Sequence, residues 1–237
     1  MAVEIGCIIQ ARMGSTRLPG KVMQNVTEKK PLIHFLLDQL KGSSQIEKIV
    51  VATTTLPEDN IIFDYIENLG VDCFRGNPFD VLNRYYECAK KFSFSNIVRI
   101  TSDNPLIDPK IVDSVITKFK TGSFDYVANC IERTFPYGTE TEVFSFRALE
   151  SASKNAHSDN DKEHVTPYFR NNQKFRTFDL KYFKDISKLR WTVDTKSDLE
   201  FVKKIISKIH TRPILLDDIL NLLQNDSELL KINSSKL

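Results

Sequence analysis

A basic loop that follows a short apolar run near the N-terminus places the strongest constraint on this chain. The apolar run covers residues 5–9 and is typical of a buried β-strand. Between residues 12 and 21, glycines let the backbone close on a ligand, and several side chains neutralise or hydrogen-bond to anionic oxygens. Such a density of donors directly after a strand favours a polyphosphate ligand. The donor side chains are Arg12, Ser15, Thr16, Arg17 and Lys21.

Two familiar phosphate-binding loops do not match this stretch. A Walker loop has four residues between its glycines, whereas here five residues separate Gly14 from Gly20. A Walker loop also continues with Lys and then Ser or Thr, but Val22 follows Lys21 here. The dinucleotide fingerprint G-x-G-x-x-G is absent as well. The alternative is a solvated basic surface loop. Ligands gather where the strands of an α/β sheet end, and these cations stand directly after a strand, which favours binding.

The composition is that of an ordinary globular protein, with 41% hydrophobic and 27% charged residues among 237. This length suits one large domain or two small ones. The net charge of +2 gives no indication of nucleic acid or an anionic membrane as a partner. Four cysteines form no C-x-x-C pair, which favours a reducing compartment. No apolar run approaches the roughly 20 residues of a membrane span, and the first strand leaves no room for a signal peptide, so we expect a cytoplasmic protein.

Strand and helix patterns alternate through the first half of the chain. The spacing of apolar residues predicts helices over 31–40, 57–69, 79–92 and 109–119. Apolar runs predict strands over 5–9, 46–52, 71–74, 96–101 and 124–129. Repeated alternation of this kind predicts an α/β fold, with a mostly parallel sheet and helices on both faces.

The alternation ends after residue 130. The patterns there predict a turn at 136–139, an extended segment at 140–144 and then a helical stretch. A helix around 163–170, strands at 175–181 and 189–193, and a final core helix at 197–210 complete the predicted elements. We therefore assign one domain to residues 1–210, with an inserted segment at 131–185. Residues 211–237 are predicted to hold a short helix, about 215–223, and a weakly ordered polar tail.

Short stretches spread over most of the chain also match a known family, in the same order. They are QARMGSTRLPGK (10–21), VATTT (51–55), FRG (74–76), VLNRYY (81–86), RITSDNPLIDP (99–109), EHVTPY (163–168) and RWTVDT (190–195). On these motifs the sequence resembles sugar nucleotidyltransferases of the spore-coat polysaccharide cytidylyltransferase-like family. That family is similar to the CMP-sialate and CMP-3-deoxy-octulosonate synthetases. The resemblance covers about residues 3–209.

The resemblance implies a Rossmann-like, GT-A-like fold of the nucleotide-diphospho-sugar transferase type. It also implies a Mg²⁺-dependent cytidylyltransferase, in which an acceptor oxygen attacks the α-phosphorus of CTP and pyrophosphate leaves. The implied acceptor is a sugar acid or a phosphorylated precursor of a cell-envelope polysaccharide. The segment 131–185 is then expected to cover the acceptor side of the cleft and to form a homodimer contact.

Asp103 and Asp194 are the candidate Mg²⁺ ligands. Each follows an apolar stretch at a predicted strand end, and both match the metal-binding aspartates of the family. Mg²⁺ is commonly held by one or two carboxylates together with phosphate oxygens and water. The alternative for each aspartate is a helix N-cap, although residues 195–198 offer another cap for the last core helix. Asp108, directly before Pro109, is interpreted as a cap only.

The basic loop is predicted to hold the triphosphate, and Lys21, followed by Arg12, to stabilise the charge on departing pyrophosphate. Arg12, Lys21 and Asp103 are thus the predicted catalytic residues. For the base, the resemblance points to the ends of the second and third strands and to the helix that follows. Arg84 on that helix could equally pair with Asp80. The predicted nucleotide-binding residues are Ala11, Arg12, Gly14, Ser15, Thr16, Arg17, Lys21, Ala52, Thr53, Arg75, Gly76, Asp80 and Arg84.

The acceptor is predicted to bind at the turn near residue 138 and at His164. Many family members resemble Gly-x-Asp-x-Glu at this turn, and this sequence has Glu140 at the Asp position. His164 is predicted to contact the substrate or to act as a base, the alternative being a structural hydrogen bond. The predicted substrate-binding residues are Tyr137, Gly138, Glu140, Glu142 and His164.

Two other functions remain open at this point. A nucleotide-sugar-dependent glycosyltransferase of related fold usually carries a D-x-D metal motif, whereas the order here is Ser102-Asp103-Asn104. The basic loop also suits a triphosphate better than a diphosphate sugar. A nucleotide sensor without turnover is the second alternative, and the presence of Lys21, Asp103 and Asp194 argues against it.

Overall fold

The computed structural model describes residues 3–233 and is built around one seven-stranded sheet. The strands are β1 (Val3–Gln10), β2 (Lys48–Thr54), β3 (Asp72–Gly76), β4 (Phe94–Thr101), β5 (Tyr126–Ala128), β6 (Glu142–Ser145) and β7 (Thr177–Asp179). Their order in the sheet is β3-β2-β1-β4-β6-β5-β7. Strand β6 pairs antiparallel with β4 and β5, and the other neighbours are parallel. The predicted mostly parallel sheet is therefore confirmed.

Helices cover both faces of this sheet. They are α1 (Leu32–Leu40), α2 (Asn60–Asn68), α3 (Val81–Lys91), α4 (Pro109–Thr121), α5 (Phe146–Asn155), α6 (Asp159–His164), α7 (Pro167–Arg170), α8 (Lys196–Lys208) and α9 (Leu216–Asn225). Short 3₁₀ turns lie at Lys21–Met23, Pro57–Asp59 and Ser227–Ile232. Within residues 3–233, no helix combines the length and the apolar character that crossing a bilayer requires.

Alternating side chains along β1 separate two apolar layers. Ile5, Cys7 and Ile9 are fully buried on one side of the sheet, where α1, α2 and α4 pack. Ile8 is buried on the opposite side, where α3 and α5 pack. A third apolar cluster joins α8 and α9 to the outer side of α1. Each fully buried Ile or Leu contributes about 1.5–3 kcal/mol, so these layers account for the stability of the sheet and its helices.

The strand register brings the functional motifs to one edge of the sheet. Gln10 at the end of β1 lies opposite Ala52 on β2 and Thr101 on β4. The loop after β1 and the turn after β4 therefore leave the sheet side by side. The chain continues from β1 and β2 through helices on one face and from β3 through α3 on the other, so β1 and β4 flank the topological switch point. Ligands bind at this position in open α/β sheets.

The predicted strand at 189–193 is wrong. Only an isolated bridge between Tyr137 and Arg190 forms there. The amide of Trp191 donates to the Tyr137 carbonyl at 2.8 Å, and that of Val193 donates to the Asp103 carbonyl at 2.8 Å. The segment thus bonds to two separate turns and has no neighbouring strand along its length. Its apolar pattern arises because Trp191 and Val193 are buried in the cluster beneath α8.

The predicted helix at 163–170 and strand at 175–181 also differ from the structure. Two short helices, α6 and α7, replace the single helix, and Val165 between them has a positive φ of 69°. Val165 therefore leaves the helical conformation and ends α6, and Pro167 begins α7 in its first turn, where the missing amide of proline costs no hydrogen bond. The predicted strand is reduced to the three residues of β7, which pair with β5 at the sheet edge.

The C-terminal segment contains a short element after α9 that the sequence did not predict. After α9, the 3₁₀ turn of residues 227–232 packs against α8 and α9, and Leu229 is buried. The Asn233 side chain donates to the Arg190 carbonyl at 2.9 Å. The end of the predicted polar tail, residues 234–237, lies outside the described residues.

Candidate active site

A cavity of about 300 Å³ opens at the sheet edge where β1 and β4 end. Its walls come from the basic loop, the turn after β4, the start of α3, the end of α6 and the junction before α8. The loop's cations, the two candidate metal-binding aspartates and His164 are among the residues that line it. The lining residues are Gln10, Ala11, Arg12, Ser15, Thr16, Arg17, Lys21, Val22, Val81, Arg84, Thr101, Ser102, Asp103, Glu163, His164 and Asp194.

Lys21 lies between the two aspartates. Its Nζ atom donates to Asp103 Oδ2 at 2.9 Å and to Asp194 Oδ1 at 3.0 Å, and also to the Val193 carbonyl at 2.9 Å. The Thr101 hydroxyl fixes the other oxygen of Asp103 at 2.6 Å. Residues from three distant parts of the chain thus converge on one point, and the register of β1 with β4 accounts for the approach of Lys21 and Asp103.

More cationic side chains contact Asp194 than contact Asp103. Arg17 contacts its Oδ1 atom at 2.8 Å, and Arg190 contacts its Oδ2 atom at 2.5 Å. Burial alone would raise the pKa of Asp194, but Lys21, Arg190 and Arg17 outweigh that effect and lower its pKa. The carboxylate is therefore ionised and held in one orientation across the neutral range.

Neither Asp103 nor Asp194 serves as a helix cap. Thr195 caps α8, and the Asp198 side chain completes a capping box with it. Asp108 caps α4, as predicted, by accepting from the Lys110 amide at 2.7 Å. The cap alternative therefore fails for both candidate ligands, and their carboxylates face the cavity.

The basic loop leaves donors unused. The amides of Gly14, Thr16 and Arg17 donate to no other atom within residues 3–233, whereas the Ser15 amide bonds to the Met13 carbonyl at 2.8 Å. Arg12 is exposed and forms no ion pair in the same range. These free amides and the guanidinium are the groups that a phosphate chain would need.

Arg84 is a buried cation on the cavity wall. It is 2% exposed, its Nη1 atom donates to the Asn77 carbonyl at 2.7 Å, and its Nε atom has no partner among residues 3–233. Burial lowers its pKa, and Arg12 adds to this effect. Asp80 forms no ion pair with it in the described residues and instead accepts from the Asn83 amide as the cap of α3. The surface-pair alternative for Arg84 is therefore wrong.

The other residues predicted to read the base stand behind the cavity. Ala52 and Thr53 are fully buried, and the Ala52 carbonyl accepts from the Ala11 amide at 3.2 Å. Arg75 donates to the carbonyls of Thr54 and Leu56 at 3.0 Å each and thereby ties down the turn after β2. A Cβ atom on Gly76 would lie 2.9 Å from Arg84 Cγ, so this glycine makes room for the buried arginine. None of these residues lines the cavity.

The predicted acceptor turn is occupied by its own contacts. Glu140 accepts from Arg133 at 2.5 Å, from Asn104 at 3.0 Å and from the Gly138 amide at 2.9 Å. The Arg133 guanidinium lies 3.7 Å above the Tyr137 ring. The turn therefore braces the residue after Asp103, and neither Tyr137, Gly138 nor Glu140 lines the cavity.

Glu142 is buried inside the protein instead of facing a substrate. It is 2% exposed and accepts from Arg99, from Arg170 at 2.6 Å and from the Tyr126 hydroxyl at 2.6 Å. Burial would raise its pKa, but the two arginines lower it to about 2. The structure therefore contradicts its prediction as a substrate-binding residue, since both carboxylate oxygens are engaged by side chains of β4, β5 and α7.

His164 does reach the cavity, together with Glu163, which the sequence did not single out. Both stand at the C-terminal end of α6, directly before Val165. A β-branched residue at φ 69° is a true outlier and is found where neighbouring contacts hold the backbone. Val165 is fully buried, and this anchors the end of α6 against the cavity.

Arg190 is the contact of the site that sequence reasoning missed. Besides Asp194, it reaches the fully buried Asp198 with its Nε atom at 3.5 Å, and these carboxylates raise its pKa against the effect of burial. Its guanidinium also lies 5.8 Å from the centre of the Tyr137 ring. Its position four residues before Asp194 in RWTVDT was visible, but its orientation depends on the irregular segment 189–193.

The donor set suits Mg²⁺ better than a metal that needs an all-protein cage. The described residues hold no group of three or more His, Cys, Asp or Glu side chains arranged to bind a metal. Asp103 and Asp194 supply two carboxylates within 3.0 Å of one cationic atom. Mg²⁺ is commonly bound in this way, by one or two carboxylates with water and substrate phosphates completing its shell.

The fold and the cavity together define a class. Cations and unused amides follow β1, two carboxylates stand beside them, and the cavity lies at the switch point of an α/β sheet. These are the elements of an enzyme of the nucleotidyltransferase class.

A family model described as "Cytidylyltransferase" matches residues 6–232. The chain therefore belongs to the cytidylyltransferase family, whose members are CTP-dependent nucleotidyltransferases with the nucleotide-diphospho-sugar transferase fold. The family resemblance in the sequence is thereby confirmed.

Three similar proteins support this membership. Uncharacterized protein MJ1063 of Methanocaldococcus jannaschii is 37% identical over 232 residues, which are 96% of this chain and 93% of that protein. The spore coat polysaccharide biosynthesis protein SpsF of Bacillus subtilis is 33% identical over 222 residues, 89% of each chain. The solved structure of a cytidylyltransferase from Leptospira borgpetersenii shares 34% identity and a TM-score of 0.93, with 99% of each chain covered.

Proposed function

We propose that this enzyme transfers CMP from CTP to a sugar acid or a phosphorylated sugar, with Mg²⁺ bound and with release of pyrophosphate. The observation that carries the proposal is the contact of Lys21 Nζ with both Asp103 and Asp194, inside a cavity lined by Arg12 and Arg17. This site offers positive charge for a phosphate chain and two carboxylates for a divalent ion.

The chain's own residues act by alignment and charge neutralisation, because phosphoryl-type transfer asks little covalent chemistry of a protein. Arg12, Arg17 and the free loop amides bind the β- and γ-phosphates. Lys21 stabilises the charge that develops as pyrophosphate leaves, an effect that typically accounts for about 10²–10³ in rate for one donor. Asp103 and Asp194 would hold Mg²⁺, which as a Lewis acid supplies charge stabilisation at the α-phosphate.

The nucleoside is assigned to the part of the cavity between β1 and the start of α3. Arg84 is the buried cation there, and its place in the cavity lining supports a role in binding the nucleotide. Ala52, Thr53, Arg75 and Gly76 contribute by shaping this end of the site from behind. Choice of CTP over other nucleotides follows from the family and is a proposal for this chain.

The acceptor is assigned to the side of the cavity formed by Glu163 and His164. His164 is assigned to orient the attacking hydroxyl or to accept its proton, because it lines the cavity and an imidazole nitrogen can accept a hydrogen bond. SpsF is named for spore coat polysaccharide biosynthesis, which supports a precursor of a surface polysaccharide as the product's destination. Homodimer formation through segment 131–185 and a cytoplasmic location stay predictions.

The test is pyrophosphate release with Mg²⁺ from each of the four nucleoside triphosphates. Acceptors would include 3-deoxy-manno-octulosonate, N-acetylneuraminate and a series of sugar phosphates. We expect release with CTP only, dependent on one acceptor, and at least 100-fold slower for Lys21→Ala. Absence of release with every acceptor, together with hydrolysis of a nucleotide sugar, would instead indicate the glycosyltransferase alternative.

A further inference from the structure

A buried carboxylate outside the cavity connects the sheet to the basic loop. Asp59 ends the 3₁₀ turn before α2, is 1% exposed and does not line the cavity. It forms no ion pair within residues 3–233. A buried carboxylate without an ion pair is costly unless its oxygens are well hydrogen-bonded, so its contacts explain why it is there.

Both oxygens of Asp59 bond outside the helix that it begins. An aspartate at a helix N-cap normally accepts from an amide of its own first turn. Asp59 occupies the N-cap position of α2 but makes no such bond. Its Oδ1 atom accepts instead from the Met13 amide at 2.6 Å, and its Oδ2 atom accepts from the Thr54 hydroxyl.

These two bonds join the end of β2 to the loop after β1. Thr54 is the last residue of β2, and Met13 lies between Arg12 and Gly14 in the basic loop. The Met13 carbonyl, in turn, accepts from the amides of Ser15 and Gly20 at 2.8 and 3.0 Å. Fixing the peptide groups at Met13 therefore fixes both ends of the loop that presents its free amides to the cavity.

We propose that Asp59 is a positioning residue for the triphosphate, acting through the Met13 amide on the conformation of the basic loop. The inference rests on the proposed function, in which this loop binds the phosphates of CTP. Asp59 touches no reacting group. Its contribution is to hold the loop in the binding conformation before the ligand arrives, which reduces the ordering cost of binding.

Loss of the Asp59 charge and loss of its hydrogen bond should not change triphosphate affinity in the same direction, and this makes the proposal testable. Asp59 adds negative charge beside the basic loop, which it contacts at the Met13 amide, and it also lies near Arg84 on the cavity wall. Removing that charge alone should leave triphosphate affinity unchanged or increase it. Removing the hydrogen-bond acceptor should decrease affinity, because the loop is released. Asp59→Asn keeps an acceptor for the Met13 amide, whereas Asp59→Ala keeps neither acceptor nor charge.

Asp108 provides a matched control. It is also a buried carboxylate at a helix start, 4% exposed, and it accepts from the amides of Lys110 and Leu216 at 2.7 Å each. Its contacts lie at α4 and α9, away from the loop. Asp108→Ala should therefore lose stability in a similar way to Asp59→Ala without changing the loop.

The experiment measures binding of inorganic tripolyphosphate by calorimetry and hydrogen exchange of the peptide covering residues 13–18 without ligand. For Asp59→Ala we expect at least tenfold weaker binding and at least tenfold faster exchange in that peptide. Asp59→Asn should bind as tightly as wild type or tighter, and Asp108→Ala should match wild type in both measurements.

Unchanged exchange in Asp59→Ala would overturn the positioning role whatever the ligand. If Asp108→Ala weakened tripolyphosphate binding equally, the effect of Asp59→Ala would be explained by a general loss of stability. Weaker binding by Asp59→Asn that equals that of Asp59→Ala would also contradict the proposal. Wild type that fails to bind tripolyphosphate or CTP would refute the proposed function itself, while the exchange result would still report on the loop. If Asp59→Ala does not fold, tripolyphosphate binding and hydrogen exchange are compared between Asp59→Asn and Thr54→Val. The Thr54→Val variant keeps the carboxylate but removes its second contact.

Discussion

Replacement of Glu142 by glutamine should destabilise the protein strongly. The change keeps the size of the side chain and an acceptor for the Tyr126 hydroxyl, but it removes the negative charge that Arg99 and Arg170 share. Breaking a buried ion pair from one side typically costs about 3–5 kcal/mol, because the remaining charge stays buried without a partner. We therefore expect a loss of that size in the free energy of unfolding at pH 7.

The pKa of Glu142 gives a second figure for the same interaction. Burial would raise this pKa, yet Arg99 and Arg170 lower it from an ordinary value of 4.5 to about 2. At about 1.36 kcal/mol for each pH unit, the difference corresponds to about 3 kcal/mol. Because the folded-state pKa is depressed, this stabilisation is present above pH 4.5 and is lost as the pH falls towards 2. About three-fifths of it should be gone at pH 3.

The assay is urea denaturation of wild type and Glu142→Gln at pH 7 and pH 3. The difference in the free energy of unfolding between the two proteins should decrease from about 3 kcal/mol at pH 7 to about 1 kcal/mol at pH 3. Glu150→Gln is the control, because Glu150 forms an exposed pair with Lys154 on α5 and should cost at most about 0.5 kcal/mol. A gap below about 1 kcal/mol at pH 7, or one that does not change with pH, would refute the reasoning.

Two further changes test the surroundings of the site. Gly138→Ala should cost more than about 2 kcal/mol, since φ is 105° and the new Cβ would lie 2.7 Å from the backbone nitrogen of Thr192. Gly70→Ala, at φ 70° with nothing within 4 Å, should cost only about 1 kcal/mol in thermal unfolding. Arg190→Met should lower kcat or Mn²⁺ affinity by about 10–100-fold, because Asp194 loses the partner that orients it. The exposed Lys196→Ala is the control, and wild-type Mn²⁺ binding by Arg190→Met would contradict this role.

The convergence of Lys21, Asp103 and Asp194 could be anticipated from the sequence in large part. Lys21 and Asp103 follow strands that are parallel neighbours, and the carboxyl ends of such strands share an edge. The contact of Asp194 was predicted for a partly wrong reason. The prediction placed Asp194 at the end of a strand, whereas it follows an irregular segment. Burial of Trp191 and Val193 produces the same apolar pattern as a strand would.

The residues that were missed or misplaced depend on tertiary contacts. Glu142 lies in the predicted extended segment at 140–144, and nothing in that pattern shows that Arg99 of β4 and Arg170 of α7 would both contact it. Asp59 looks like an ordinary acidic helix start, and only the fold shows that its side chain points to the loop after β1. Arg190 stands in a motif whose local backbone has no repeating geometry from which its direction could be inferred.

The central claim is that Lys21 and Asp103 serve CMP transfer from CTP. It is tested most directly with CTP labelled at the α-phosphate, Mg²⁺ and the acceptor panel, by following the label into product. We predict that the label enters an acid-sugar or sugar-phosphate product in step with pyrophosphate release, and that Lys21→Ala and Asp103→Asn slow both at least about 100-fold while folding normally. Label that stays in CTP with every acceptor, or transfer at the wild-type rate in both variants, would contradict the account.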